Sequence, residues 1–167
     1  MDRNIPYCAS DISSFFIRKG VSSLKLQKLL YYAQIWFFVK YKKHLFSDKI
    51  QGWIYGPAIY SVWNNFKYMK KNSTIPKSRA NDLDLKQVED FLNELWQAYG
   101  HLSSAELVDL THNELPWLSS RSGLLKDQPG DNEVIIDEMT TIQFKLTHDN
   151  KIPYVNKLNS LGHFSNT

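Results

Sequence analysis

The longest run of periodic hydrophobic positions lies between Leu24 and Lys42. Apolar residues recur there every three or four positions, which predicts a long amphipathic helix. Ser22 or Ser23 precedes this run and carries a hydroxyl that can cap the N-terminus of the helix. Four positions of the apolar stripe should be nearly inaccessible to solvent: Leu29, Leu30, Ala33 and Trp36.

A shorter and more aromatic pattern follows this helix. Residues Lys49 to Tyr55 alternate and are rich in Ile, Trp and Tyr, which predicts a short strand or extended segment. Gly56 permits a sharp turn, and Pro57 suits the first turn of a new helix, where its missing N–H costs nothing. The predicted helix has a core-facing stripe at helical spacing: Ile59, Val62, Trp63, Phe66 and Met69.

Capping signals predict further helices in the second half of the chain. Asp84 with Gln87, and Ser103 with Glu106, have the spacing of a capping box ahead of an apolar stripe. Residues Val134 to Leu146 give a weaker helical pattern, and their β-branched content leaves a strand open as the alternative.

Together these patterns predict a single, compact, mainly helical domain of five to seven helices with a small extended or β element around residues 49–55. We assign residues 1–20 to an N-terminal segment with a short helix that ends at Gly20. The helical domain then covers residues 21–146. A C-terminal tail over 147–167 shows no clear periodicity, and we expect it to be partly disordered.

Composition adds limits on compartment and partners. The chain has 167 residues, of which 14% are aromatic, and a formal net charge of +3. Its one cysteine, Cys8, excludes an intrachain disulfide and a thiolate metal cluster, and so favours a reducing compartment. The most apolar stretch is interrupted by lysine and glutamine and falls short of the ~20 apolar residues of a membrane-spanning helix. With no signal-peptide pattern at the N-terminus, we expect a soluble cytoplasmic protein without membrane insertion.

No motif of a familiar enzyme class occurs in the chain. It has no Gly-rich phosphate loop, no His-Glu-x-x-His and no Gly-x-Ser-x-Gly. The nearest approach to a metal site combines His101, His112 and Glu114, but a structural zinc needs four ligands and no fourth is apparent. His112 is better explained as an interior or helix-end histidine. Cys8 has no histidine at a spacing that suggests a nucleophile pair. We therefore expect no catalysis, no metal and no cofactor.

A basic and aromatic surface for nucleic acid is the alternative binding function. Five cations lie close in sequence to Trp63 and Tyr68: Lys67, Lys70, Lys71, Lys77 and Arg79. The mild net charge favours the simpler interpretation, a solvated basic helix end and loop. Binding of nucleic acid is therefore disfavoured, although it stays open as an alternative.

Several segments resemble a known family when they are taken in their order along the chain. They are LKLQKLLYYAQIW (24–36), WIYGPAIYSVW (53–63), Tyr99-Gly100, SSAELVDLTHNELPW (103–117) and Arg121. This ordered set resembles the Panacea domain, the SocA-like antitoxin family, which is also found as a phage-associated protein. The resemblance covers roughly residues 21–123, with a looser extension to 146. The chain departs from it by a nine-residue loop before Glu133 and by the tail.

The resemblance implies a compact helical antitoxin without enzymatic activity, which neutralises a cognate protein toxin by direct contact. A described branch of the family acts instead as an adaptor that delivers its toxin to a protease. The alternatives are thus a proteolytic adaptor, a phage- or defence-related regulator that binds a host protein, and a nucleic-acid-binding module.

An aromatic socket around the Gly-Pro turn is our candidate site for the partner. Alternation places Trp53 and Tyr55 opposite an inward-facing Ile54. If the two elements pack, the pair lies beside one face of the long helix that is away from the apolar stripe. The predicted partner-binding residues are Lys25, Lys28, Tyr32, Trp53, Tyr55, Gly56 and Pro57. The alternative is that Trp53 and Tyr55 cover a second small core.

Overall fold

The computed structural model describes residues 5–149. Over this range the chain forms seven α-helices and one two-stranded antiparallel sheet, so the predicted mainly helical fold with a small β element is confirmed. The elements are α1 (Ala9–Lys19), α2 (Ser23–Tyr41), β1 (Gln51–Trp53), β2 (Gly56–Ala58), α3 (Tyr60–Phe66), α4 (Glu89–Tyr99), α5 (Ser104–Thr111), α6 (Leu115–Ser120) and α7 (Glu138–Thr147). Two short 3-10 turns, Lys77–Arg79 and Lys86–Val88, precede α4.

Helix α2 is the centre of the fold. It packs against α1, α3, α4, α5, α7 and β2. The Ser22 hydroxyl accepts the Lys25 N–H at 3.2 Å and caps the helix, as predicted. The four stripe positions named above are confirmed as core, with exposures between 0% and 2%. Helix α1 ends as predicted at Gly20, which adopts the left-handed conformation at φ 86°.

The Gly-Pro stretch forms a β-hairpin and does not begin a helix. In the hairpin (residues 51–58) Trp53 pairs with Gly56, and Ile54 and Tyr55 make the two-residue turn. Gly56 has a φ of 107°, which a side chain would disfavour. The prediction that Pro57 opens the next helix is wrong, because Pro57 lies in β2 and α3 begins at Tyr60. The tight turn lets the chain return along β1, and a proline is tolerated on an edge strand.

Of the two predicted capping boxes, one is confirmed. The Ser103 hydroxyl accepts the Glu106 N–H at 3.1 Å, and the Glu106 carboxylate accepts the Ser103 N–H at 2.9 Å. The box at Asp84 is wrong. Its carboxylate instead accepts the Lys86 N–H at 2.8 Å, which stabilises a turn, and α4 begins only at Glu89.

The weak pattern over residues 134–146 is part extended segment and part helix. The Val134 N–H donates to the Ile50 carbonyl at 2.7 Å beside β1, and α7 begins four residues later behind the Asp137 cap. The packed fold reaches His148, whose side chain is buried. The predicted disorder of the tail falls mostly on residues 150–167, which lie outside the described residues. Within residues 5–149 no helix is long and apolar enough to cross a membrane.

Candidate functional site

The polar side chains of α2 hold the loops around it. Gln27 accepts the Ile59 N–H at 2.8 Å and donates to the Ile59 carbonyl at 3.1 Å, which fixes the entry to α3. Two turns further along the helix, Gln34 makes similar bonds to the backbone of Leu45 and Phe46. Both glutamines are buried, and each is hydrogen-bonded at its amide oxygen and at its amide nitrogen, which offsets the cost of burying the amide.

A network of buried side chains centred on Glu114 joins α2 to α4, α6 and α7. The Glu114 carboxylate accepts from the hydroxyls of Tyr31 at 3.0 Å and Tyr32 at 2.8 Å, and it lies 2.6 Å from His148 Nδ1. On its other side, the His148 ring lies 2.8 Å from the hydroxyl of Tyr99. We call these five residues the Glu114 network.

Burial dominates the ionisation of this network. Desolvation raises the pKa of Glu114, and its hydrogen bonds from His148 and the two tyrosines oppose that rise. Desolvation also raises the pKa of Tyr31, Tyr32 and Tyr99 well above the ordinary value. The network is inaccessible to solvent, so its role is to join elements of the fold.

Two of the lysines and tyrosines predicted to lie off the apolar stripe are in the interior. Lys28 is 1% exposed and Tyr32 is 0% exposed, so the side of α2 predicted to lie away from the apolar stripe is covered by other elements. The cause is that α2 is surrounded by other elements, and each polar head finds a partner inside. Lys25 is half-buried, and its ammonium donates to the Gly100 carbonyl at 2.6 Å, away from the hairpin.

Lys28 lies directly beneath the hairpin. Its ammonium donates to the Pro57 carbonyl at 3.0 Å. A side chain at Gly56 would come within 3.0 Å of the Lys28 Cε and 2.7 Å of the Thr111 Oγ1, so glycine is needed here for space as well as for its φ. Complete desolvation lowers the pKa of Lys28 from 10.5 to about 7.

Helix α6 holds the other strand of the hairpin. The Trp117 indole N–H donates to the Trp53 carbonyl at 2.8 Å, and the Arg121 guanidinium donates to the Gly52 carbonyl at 3.1 Å. Gly52 has no room for a side chain, because a Cβ there would lie 1.9 Å from the Ser120 Oγ. The tip of the hairpin is therefore carried on a strand that is bonded to a helix.

His112 is at the C-terminal end of α5, half-buried, with its ring stacked on Trp117 at 4.2 Å. Desolvation and the neighbouring charge of Lys28 lower its pKa, which favours the neutral ring at neutral pH. Among the described residues no group of three or more His, Cys, Asp or Glu is placed to hold a metal ion.

Exposed aromatic side chains gather around the hairpin tip. Tyr55 is 54% exposed, Tyr60 55% and Trp63 41%, while Trp53 is half-buried. The indoles of Trp53 and Trp63 meet edge to face with centroids 5.8 Å apart. Trp53, Tyr55 and Trp63 line a cavity of about 270 Å³ between the hairpin and α3. Trp53, Tyr55 and Tyr60 line an adjoining cavity of about 630 Å³. We call this surface the aromatic groove.

Lysines border the smaller cavity of the groove. The Lys71 ammonium lies 4.1 Å from the centre of the Tyr55 ring, and the Lys67 ammonium lies 5.5 Å from that of Trp63. Among the described residues, no Asp or Glu lines this cavity. The larger cavity has Asp131 at its edge. The smaller cavity is thus apolar inside and positive at its rim.

The structure brings together four of the seven predicted site residues. Lys28, Trp53, Tyr55 and Gly56 line the smaller cavity. The other three, Pro57, Tyr32 and Lys25, do not line it, and the binding role of all seven stays a prediction. Ile54 is at the turn and only half-buried, so the strand alternation that placed it inward does not apply.

The main residue that the sequence pattern misplaced is Trp63. Its spacing fits the core stripe of α3, but only Val62 and Phe66 of that helix are buried as predicted, with exposures of 1% and 6%. Helix α3 has only two turns, and the part of it that packs on the core is narrower than its apolar stripe, so Trp63 stays partly exposed. The sequence shows the charge of Lys67 and Lys71, whereas their position on the rim depends on tertiary packing.

The fold and the groove define a class: a small, mainly helical protein with a buried polar network and an exposed aromatic surface. The chain belongs to the SocA-like antitoxin family, because the family model of the antitoxin SocA-like Panacea domain matches residues 26–118, more than half of its length. The match runs from α2 to α6 and includes the hairpin and Glu114. No curated protein and no solved structure matches the chain closely enough to add to this assignment.

Proposed function

We propose that this protein is an antitoxin that binds a cognate protein toxin through the aromatic groove and neutralises it by that contact, without catalysing a reaction. Membership of an antitoxin family supports the role. The observation that carries the choice of surface is the group of exposed Trp and Tyr rings around the hairpin. Such rings bury large areas at low entropic cost and are enriched among the residues that dominate binding energy.

The groove is rigid enough to act as a preformed surface. Its floor is held from below by α2 through Gln27 and Lys28, and the β1 side is held by Trp117 and Arg121. A surface that is ordered before binding loses less entropy when the partner arrives. The same surface also serves the second candidate function, an adaptor that delivers the bound toxin to a protease.

Co-expression tests the proposed function. The product of the reading frame that neighbours this gene should arrest growth when produced alone, and growth should recover when this chain is produced with it. The purified pair should form a complex detectable by calorimetry. Toxin levels during rescue separate the two mechanisms, since they stay constant under sequestration and fall under delivery to a protease. The proposal fails if the neighbouring product is harmless, or if this chain neither rescues growth nor binds it.

Replacing Tyr55 by alanine should weaken toxin binding by roughly 2 kcal/mol, about 30-fold in Kd, while the melting temperature stays nearly unchanged. The reason is that its ring is more than half exposed at the turn and lines both cavities. Leu146→Ala is the control, because that apolar side chain is 77% exposed but lines neither cavity. Equal affinity for the two variants, or a large fall in melting temperature for Tyr55→Ala, contradicts this role.

A further inference from the structure

We propose that the partner segment seated in the aromatic groove is an acidic stretch of the partner protein with one large apolar side chain, which fills the smaller cavity while carboxylates beside it pair with Lys67 and Lys71. This inference rests on the proposed function, since it names the chemistry of the segment that the antitoxin surface takes. It is carried by the size of the cavity, the charges around it and the way the two lysines are held.

The smaller cavity has the size and lining for one anchoring side chain. Its volume of about 270 Å³ is below the roughly 300–1,000 Å³ of sites for cofactors and drug-sized ligands. Its walls are mainly apolar, with Leu24 from α2, Trp53 from the hairpin, and Val62, Phe66 and Met69 from α3 and the residues after it. An apolar side chain placed there loses its contact with water on several sides, which is how anchors in interface pockets gain their energy.

The charges around the cavity have one sign. Lys28, Lys67 and Lys71 contribute to its lining, and no acidic residue does so among the described part of the chain. The N-terminal turn of α2, at Ser23 and Leu24, also faces it and adds the positive end of the helix dipole. A segment with carboxylates therefore meets a complementary potential, and one with Lys or Arg is repelled.

The two rim lysines are positioned without being neutralised. Lys71 is fixed through its backbone, because its carbonyl accepts the Leu24 N–H at 3.1 Å, and its ammonium lies over the Tyr55 ring. Lys67 lies over Trp63 and Tyr68. Within residues 5–149 neither lysine forms a salt bridge, so the donors of both ammonium groups are available to carboxylates.

A protein segment fits these observations better than nucleic acid does. A single strand is held by a positive groove that follows several phosphates, with bases stacked on successive rings. Here the indoles of Trp53 and Trp63 meet edge to face, and the positive charge is confined to the rim of one cavity. The larger cavity beside it has Asp131 on its edge, which would repel a phosphate backbone.

Selection from a displayed library of random 12-residue peptides on the full chain tests the proposal. Peptides retained by the wild-type chain should be enriched in Asp and Glu on either side of a large apolar residue. A chain carrying both Lys67→Glu and Lys71→Glu should lose at least 10-fold in affinity for these peptides. The double variant Lys77→Glu and Lys86→Glu is the control, because it changes the charge equally at exposed residues that line neither cavity.

Trp63→Ala should also lose the selected peptides while keeping its melting temperature, since the indole is partly exposed. The proposal is overturned if the retained peptides show no acidic enrichment, if they bind the Lys67/Lys71 variant as well as the control, or if a dT20 oligonucleotide competes for the groove at equal concentration. Growth rescue separates the two levels. If the wild-type chain and the Lys67/Lys71 variant rescue growth equally well, the antitoxin role stands and this inference is refuted. If the wild-type chain does not rescue growth, the antitoxin role itself is refuted.

Discussion

Glu114→Ala should destabilise the fold by roughly 3–5 kcal/mol, the largest loss we expect from any single substitution outside the apolar core. Three donors point at this carboxylate, from Tyr31, Tyr32 and His148, and all three are buried. Alanine removes their shared acceptor and leaves a space too enclosed for the donors to turn towards solvent. Each buried donor without a partner costs about 1–3 kcal/mol, so the three together account for the expected loss.

Glu114→Gln should cost less, roughly 1–2 kcal/mol, because the amide keeps the shape and one acceptor oxygen. At the Oε1 position that oxygen can still accept from Tyr31, whereas the Tyr32 hydroxyl, which donates to Oε2 in the wild-type chain, faces the NH2 group and loses its acceptor. The new NH2 group faces His148 Nδ1, which can accept it if the ring proton moves to Nε2 and is donated to the Tyr99 hydroxyl. A larger loss of unfolding free energy for Glu114→Ala than for Glu114→Gln is therefore expected. The Gln variant keeps the volume of the side chain, so its own loss reports on the hydrogen bonds alone.

Urea unfolding followed by circular dichroism measures both losses. Asp127→Asn is the control, since that carboxylate is exposed in a loop and should change stability by less than about 0.5 kcal/mol. If Glu114→Ala unfolds the chain altogether, the Gln variant still gives a number. Equal stability of Glu114→Gln and the wild-type chain would show that the network is not the junction the structure describes.

The interior network and the surface groove are connected through one short segment. Glu114 precedes α6, and the next turn of that helix contains Trp117, which donates to the Trp53 carbonyl of the hairpin. Thr111, three residues before Glu114, lies against Gly56. The hairpin therefore rests on a segment that is fixed by the buried Glu114, which explains how a two-stranded hairpin, marginal by itself, is held in place.

Much of the fold follows from local signals in the sequence. Four features depend on residues close in sequence, and all four are as predicted: the stripe of α2, the Ser22 cap, the Gly20 end of α1 and the Ser103 capping box. The sequence pattern does not predict the hairpin, because its turn lies at Ile54 and Tyr55, one residue pair before the Gly-Pro signal, and neither is a typical turn residue. Tertiary contacts of β1 with α6 fix this register.

The candidate site was harder to predict because α2 is buried on all sides. An amphipathic helix has a polar face towards solvent, and that assumption placed Lys28 and Tyr32 outside. In the fold, α5, α7 and the hairpin cover that face, and the polar groups are retained because each finds a partner there. Both residues face the Thr111–Trp117 segment, which lies about eighty positions later in the chain. Helical periodicity cannot predict contacts over that separation, so the fold is needed to find them.

Lys28→Met should stabilise the fold at neutral pH, which is unusual for a substitution at a buried hydrogen-bonded group. Burial lowers the pKa of this lysine from 10.5 to about 7, and at about 1.36 kcal/mol per pH unit the charged form costs the fold roughly 5 kcal/mol. Methionine fills a similar volume without a charge. It leaves the Pro57 carbonyl without its donor, which costs about 1–3 kcal/mol, so we expect a net gain of roughly 2–4 kcal/mol at pH 6.5.

The sign of the pH dependence distinguishes this origin from better packing. Between pH 7 and 10.5 the unfolded chain holds the Lys28 proton and the folded chain has released it, so the stability of the wild-type chain rises with pH in this window. Below about pH 7 both states are protonated and the full cost of burial applies. The advantage of Lys28→Met should therefore be largest at pH 6.5 and small or reversed at pH 10. The causes that raise the pKa of the buried tyrosines do not include Lys28. Lys28→Met removes one of the causes that lower the pKa of His112, which adds to the advantage of the variant near pH 6.5 and disappears at higher pH.

Urea unfolding at pH 6.5, 8 and 10 measures the difference, with the exposed Lys77→Met as control. A constant difference across these pH values would show that the ammonium is not desolvated in the fold. The same variant should bind the acidic partner segment more weakly at pH 6.5, because the positive charge beneath the smaller cavity is removed while its shape is kept. Stability and affinity then move in opposite directions on one substitution. The physical reason is that burying the Lys28 ammonium destabilises the free protein, while the same charge attracts a carboxylate bound in the groove. Methionine removes both the destabilisation and the attraction.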